Sequence, residues 1–178
     1  FFDKDKLGDK ILVRMAKENE EIVTLDKKTR QLISDDIVIT DGKKPVCIAG
    51  VMGGENTDVD ENTKDILIES AIFNPYNVRY TSLRLDLRSE ASLRYERGLN
   101  YENCNMAIER ACHLLEKYAS GKVLSDTITY DKVEKNTKVA SVTKEDVNNI
   151  LGLSMTDEDI KESLDKLGFN YKYKNDEY

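Results

Sequence analysis

The 178-residue chain has 39% hydrophobic and 34% charged side chains, enough apolar material for a packed core and enough charge for a solvated surface. No apolar run reaches the roughly 18 residues that span a bilayer, and no basic and apolar leader opens the chain. A net charge of −7 argues against a general nucleic-acid binder, because phosphate contacts dominate such affinity.

The start at Phe1-Phe2-Asp3, without Met, reads as an excised piece. Short β-favouring runs predict strands at 10–13, 21–25, 37–40, 45–49 and 65–70, with Asp41-Gly42 as a turn between the third and fourth. Helical grammar begins at Asn74-Pro75, an N-cap followed by a proline at the first helical position, and predicts a helix to about residue 85. A second short helix starts after Ser89 and stops at Gly98. A third covers 100–119, where Cys104, Ala107, Ile108, Ala111, Leu114, Leu115 and Tyr118 recur at helical spacing before Gly121. A strand at 123–130 would return the chain to the sheet. The first domain, 1–131, therefore reads as α+β, with a mixed or antiparallel sheet packed against helices.

The polar stretch 131–137 marks a boundary, and 132–178 reads as a second, partial module. Thr143 caps a helix ending near Gly152, and Thr156 with Asp159 forms a capping box for a helix ending at Gly168. The alternation over 169–174 predicts a final strand.

Familiar active sites are missing from the pattern. There is no G-x-x-x-x-G-K-[ST], no G-x-G-x-x-G and no H-E-x-x-H. With His113 as the only histidine, no Ser-His-Asp triad can form within the chain, and no zinc set is offered, so no metal ligand is assigned. Cys47, Cys104 and Cys112 are too few for a disulfide framework and read as reduced thiols of a cytoplasmic protein.

Three weaker signals remain. Gly50, Gly53 and Gly54 follow an apolar strand and can form either a ligand wall or merely a tight turn. Glu69 ends an Ile-Leu-Ile run, where a carboxylate costs desolvation unless it has a partner; the alternative is an exposed strand end. Five of the chain's eight arginines fall between Arg79 and Arg97. Arg88, Arg94 and Arg97 flank Ser89-Glu90-Ala91-Ser92, whose amides at a helix start suit anions, unless the segment is a solvated helix with ion pairs such as Glu90 with Arg94.

In this order and spacing, A-G-V-M-G-G at 49–54, L-I-E-S-A-I-F-N-P at 67–75 and S-E-A-S-L-R-Y-E-R-G-L at 89–99 resemble the editing module of the bacterial phenylalanyl-tRNA synthetase β subunit. The similarity continues through Val13-Arg14-Met15-Ala16, Thr24-Leu25-Asp26 and Ala107-Ile108-Glu109-Arg110-Ala111. The segments Val147-Asn148-Asn149-Ile150-Leu151-Gly152 and Leu167-Gly168-Phe169 resemble the winged-helix-like, helix-turn-helix module that follows in the family.

The resemblance implies hydrolysis of the ester in mischarged tyrosyl-tRNA(Phe). A pocket shaped for phenylalanine rejects an added hydroxyl poorly, so a second site clears the error. By the same resemblance, Glu69 is the buried acceptor for the phenol, and Gly50, Gly53 and Gly54 line the ring and ester. Ser89 and Ala91 lie near the amino group and the attacking water, and Arg84, Arg88, Arg94 and Arg97 contact tRNA. Ser89 stands where many members have threonine.

For the whole enzyme the resemblance implies ATP, magnesium and an α subunit in an assembly of two α and two β chains; the aminoacylation chemistry belongs to α. The family's Pro-Leu-His segment, whose histidine contributes to the editing pocket, precedes the Phe-Asp matched to Phe2-Asp3. Its magnesium-associated acidic segment lies past the point where this chain stops. A reading of another class also stands: a non-catalytic scaffold for tRNA placement and subunit assembly.

Overall fold

The computed structural model describes residues 1–124, 127–133 and 139–178. The chain divides into two compact units, Phe1–Thr129 and Tyr130–Tyr178. In chain order the first unit contains β1 (Phe2–Asp3), β2 (Leu12–Met15), β3 (Glu21–Val23), β4 (Thr29–Gln31), β5 (Ile37–Thr40), β6 (Pro45–Ile48), β7 (Met52–Gly53), β8 (Ile66–Leu67), α1 (Pro75–Arg84), α2 (Glu90–Tyr95) and α3 (Asn103–Ala119). Every strand pairing is antiparallel: a sheet in the order β2-β5-β6-β7, a β3-β4 hairpin and a β1-β8 pair. The class is α+β, as the sequence predicts.

The sheet forms where β-branched residues can be buried. Val38 and Ile39 of β5 and Val46 and Ile48 of β6 are almost wholly inaccessible and pack with Leu32, Ala49, Val51, Phe73, Val78 and Leu87. Each such side chain contributes about 1.5–3 kcal/mol on leaving water. The hairpin between β5 and β6 turns at Asp41-Gly42. The Asp41 carboxylate accepts from the Lys43 and Lys44 amides at 2.9 and 2.8 Å, and Gly42 takes a φ of +88°.

Helix α1 is capped by Asn74, with Pro75 first in the helix, and buries Val78, Thr81 and Ser82. It is clamped to the loop ahead of β5 by Asp36, which is buried. That carboxylate accepts from the Thr81 hydroxyl at 2.7 Å, from the Ile33 amide at 2.9 Å and from the Arg84 guanidinium.

The second unit contains α4 (Lys144–Leu151) and α5 (Asp157–Lys166). Both open with capping boxes: Thr156 with Asp159, as read from the sequence, and Thr143 with Asp146, where the sequence predicts the cap alone. Gly152, at φ +65°, ends α4.

Several expectations are corrected. The run 65–70 pairs only over Ile66–Leu67, so Glu69 lies in irregular chain past β8. The run 10–13 is displaced to Leu12–Met15, whereas β1, β4 and β7 were not foreseen because two- and three-residue strands carry no periodic signal. No strand forms at 123–130 among the described residues: Ile128 and Tyr130 are exposed, and β propensity without a neighbouring edge makes no ladder. Residues 125 and 126 of that run lie outside the described residues, as do 134–137 of the expected boundary. The strand at 169–174 is replaced by a turn. Asn175 and Asp176 adopt positive φ, Lys174 bridges to Glu177, and the Tyr173 and Tyr178 rings pack at 4.7 Å.

Candidate functional site

The glycine segment forms two unlike environments. Gly50 sits in the turn joining β6 to β7, closed by the Val51 amide donating to the Ile48 carbonyl at 3.0 Å, and has a φ of +69°. A Cβ at this position would meet Val78 Cγ2 at 3.0 Å, Tyr95 Cγ at 3.2 Å and Phe73 Cδ2 at 3.4 Å. Both the backbone and the close approach of Tyr95 demand glycine here. Gly53 is the cross-strand partner of Cys47 and lies against Leu25. Gly54 is buried, and a Cβ there would meet the Val46 carbonyl oxygen at 2.8 Å, so its bare face is filled by the protein's own backbone.

Ser89 is the N-cap of α2 and shares a capping box with Ser92. Its oxygen accepts from the Ser92 amide at 3.1 Å, and its hydroxyl donates to the Val51 carbonyl at 2.6 Å. The helix start is thereby tied to the glycine turn. Ala91 is exposed in the first turn of α2.

At the other end of α2, Tyr95 packs on Phe73 with ring centroids 5.6 Å apart and donates to the Ala71 carbonyl at 3.1 Å. Ser70 donates to the Cys104 carbonyl at 2.8 Å, holding the 69–73 segment to the start of α3.

Glu69 belongs to this cluster. Its surface is open to solvent rather than enclosed, which differs from the buried acceptor implied by the resemblance. Surrounding protein nevertheless withdraws enough water from the carboxyl to push its pKa up to about 7, with the terminal amine pulling the other way. Its charge acts on Cys47 and Tyr95. Burial, reinforced by Glu69, pushes both the thiol and the phenol up to about 12, so both are neutral near pH 7. The carboxylate therefore stands at the solvent-accessible surface, close enough to a thiol and a phenol for its charge to act on both.

Tyr95 is the hub: the Gly50 turn rests on its ring, Ser89 caps its helix and Glu69 acts on its hydroxyl. In the sequence, Tyr95 falls inside a matched segment with no role assigned, and Cys47 reads only as a reduced thiol. A large aromatic at the end of a six-residue helix was the available signal, since so short a helix must be held by tertiary contacts.

The predicted arginines do not form one free basic patch. Arg84 donates to Asp36 and to the Gln31 carbonyl, the latter at 3.2 Å. Arg88 pairs with Glu96 at 2.9 Å, and Arg94 with Glu90 at 3.5 Å, the internal pair foreseen as the plainer alternative. Arg97 has no ion pair among the described residues.

Fold and site together define an α+β domain in which a glycine hairpin, a capped helix and a desolvated carboxylate converge on one tyrosine. The chain belongs to the B3/4 domain family, whose model matches residues 1–120. It is 44% identical over 99% of its length to the phenylalanine–tRNA ligase β subunit of Staphylococcus epidermidis, and 42% identical over 98% to that of Staphylococcus aureus. The chain spans 22% of the length of these relatives. The likeness read from segments spread between Val13 and Phe169 thus extends over nearly the whole chain.

Proposed function

We propose that this chain is the editing portion of a phenylalanine–tRNA ligase β subunit, and that it hydrolyses the ester of mischarged tyrosyl-tRNA(Phe). The observation that carries the reading is Glu69, a carboxyl pushed up to about 7 and set beside Cys47 and Tyr95. A group made uncomfortable by desolvation gains from a donor, and the phenol of tyrosine supplies one. Phenylalanine leaves the carboxylate without that donor, which is the larger penalty in a discrimination of this kind.

Gly50 and Gly53 contribute by what they lack: the bare backbone of Gly50 lets Tyr95 pack against the turn, and Gly53 stands opposite Cys47. Ser89 has committed its proton to Val51, so it positions α2 rather than activating a nucleophile. Ala91, on the same first turn, leaves room for the attacking water. No serine–base pair is built here, and the chemistry assigned to the chain is the holding of ester and water in reach of each other.

On this reading the chain works in the cytoplasm, within an assembly of two α and two β subunits, on tRNA(Phe). ATP and magnesium serve the aminoacylation centre. They do not fit the glycine turn, which runs into a three-residue 3-10 helix beginning with Glu55, a carboxylate where a phosphate would sit. The scaffold alternative leans on the arginine cluster, and three of its four predicted arginines are engaged within the fold.

The test is Glu69→Ala in the complete ligase. Phenylalanine charging stays intact while tyrosyl-tRNA(Phe) accumulates; undiminished clearance of tyrosyl-tRNA would remove Glu69 from the mechanism.

A further inference from the structure

Helix α1 turns a second chemistry outward, away from the Tyr95 cluster. At about 100° per residue, Arg79, Leu83, Tyr76, Tyr80 and Arg84 follow one another around an arc of roughly 140°, opposite Val78, Thr81 and Ser82. The two tyrosines, one turn apart in the middle of this arc, are 72% and 68% exposed. Tyr118 and Tyr130 are as exposed or more so, so what marks this face is the pairing of two open rings one turn apart.

Arg79, on one side of the rings, has no ion pair or side-chain hydrogen bond among the described residues. On the other side lies an open groove of about 520 Å³ lined by Ile33, Asp35, Asp36, Tyr76, Tyr80 and Arg84 among others. Asp36 is already paired with Arg84, which leaves Asp35 as the exposed acceptor of the groove.

We infer that this face is a stacking platform for unpaired nucleotides of RNA. In a chain of net charge −7, α1 carries no acidic residue, and with Arg84 paired to Asp36 its unpaired cation among the described residues is Arg79. Bases stack on Tyr76 and Tyr80, and their exocyclic amino groups reach toward Asp35. The sugar-phosphate chain runs along the opposite flank, past Arg79. Aromatic faces bordered by arginine suit single strands, whose bases are free to stack, better than duplex. A protein partner would be expected to meet a more apolar centre than one leucine beside two hydroxylated rings. The inference rests on the editing reading only for the natural source of the strand, the unpaired acceptor end of a tRNA.

The test is binding of a fluorescent 12-nucleotide single-stranded RNA to the 178-residue chain as a function of salt. Tyr76→Ala with Tyr80→Ala raises Kd roughly tenfold or more, the effect of losing base stacking, while the double phenylalanine variant binds within about twofold of the parent. Arg79→Gln lowers the slope of log K against log salt by about 0.7, one phosphate contact on a single strand. Both tyrosines are exposed, and an unchanged circular dichroism spectrum verifies that the variants fold.

Equal affinity of the double alanine variant, or no binding by the parent chain, overturns the inference. So does sedimentation showing that the parent self-associates through this face and the double variant does not, since the face would then join copies of the chain. The 12-nucleotide strand carries no aminoacyl ester, and the editing reading is tested by clearance of tyrosyl-tRNA(Phe) in the complete ligase, so failure of the platform and failure of the editing reading are read separately.

Discussion

Ser89 and Val51 are joined by a 2.6 Å hydrogen bond in which the serine hydroxyl donates to a carbonyl of the glycine turn, 38 residues away in sequence. The same oxygen caps α2 by accepting from Ser92. One side chain thus sets both where α2 starts and where it sits against the turn. Ser89→Ala removes the cap and the tie and destabilises the chain by about 1–2 kcal/mol, whereas Ser89→Thr keeps the hydroxyl and costs less. Urea denaturation of the two variants measures the difference.

Gly50 and Gly98 offer a matched comparison. Both have positive φ, +69° and +79°, but a Cβ at Gly98 meets nothing within 4 Å while one at Gly50 strikes Val78 and Tyr95. Gly98→Ala therefore pays only the left-handed backbone cost, about 1–2 kcal/mol. Gly50→Ala adds overpacking of roughly 1–3 kcal/mol and displaces Tyr95. Equal losses for the two in thermal denaturation would show that the contact with Tyr95 is soft.

Asp36 is the buried carboxylate on which α1 hangs, through Thr81, Arg84 and the Ile33 amide. Asp36→Ala leaves these donors without their acceptor and destabilises by about 3–5 kcal/mol. Arg84→Ala leaves Asp36 its Thr81 and Ile33 donors and removes a partner that is one-third exposed, so it costs less than Asp36→Ala. A loss of RNA binding in Arg84→Ala would thus reflect the helix anchor, and chemical denaturation alongside binding separates the two.

Glu69 makes stability depend on pH with a definite sign. Its folded pKa, about 7, is above its ordinary value of 4.5, so the folded chain holds a proton that the unfolded chain releases. Its contribution to stability is complete below about 4.5 and declines as pH rises toward 7. The groups facing it are the terminal amine, Cys47 and Tyr95, and the latter two remain neutral across that window. Glu69→Gln should therefore raise Tm relative to the parent at pH 8 and leave the difference near zero at pH 4.5. A Tm gap that does not change with pH would contradict the raised pKa.

The parts of the fold with strong local chemistry were legible in the sequence. Asn74-Pro75, the Thr143 cap, the Thr156 capping box and the Asp41-Gly42 turn act through backbone amides within a few residues, so their sequence signature and their structure coincide. The strands expected at 123–130 and 169–174 failed because pairing needs a partner edge, which a local reading cannot supply. In the site, Gly50, Ser89 and Glu69 were singled out from residue type and motif. What joins them was not visible, because Tyr95 reaches the Gly50 turn and the Glu69 segment from other parts of the chain. Of the clustered arginines, Arg88 and Arg94 pair with carboxylates close by in sequence, Glu96 and the foreseen Glu90, whereas the partner of Arg84, Asp36, comes from 48 residues away and carried no local signal.

The central claim, that Glu69 selects a phenolic ring, is tested most directly by calorimetric titration of tyrosinamide and phenylalaninamide into the 178-residue chain at pH 8, where the carboxyl is ionised. The account predicts tighter binding of the tyrosine compound by roughly tenfold, the effect of one hydrogen bond to a charged group, and loss of that preference in Glu69→Ala. Equal affinity for the two rings in the parent chain, or a preference that survives the substitution, would contradict it.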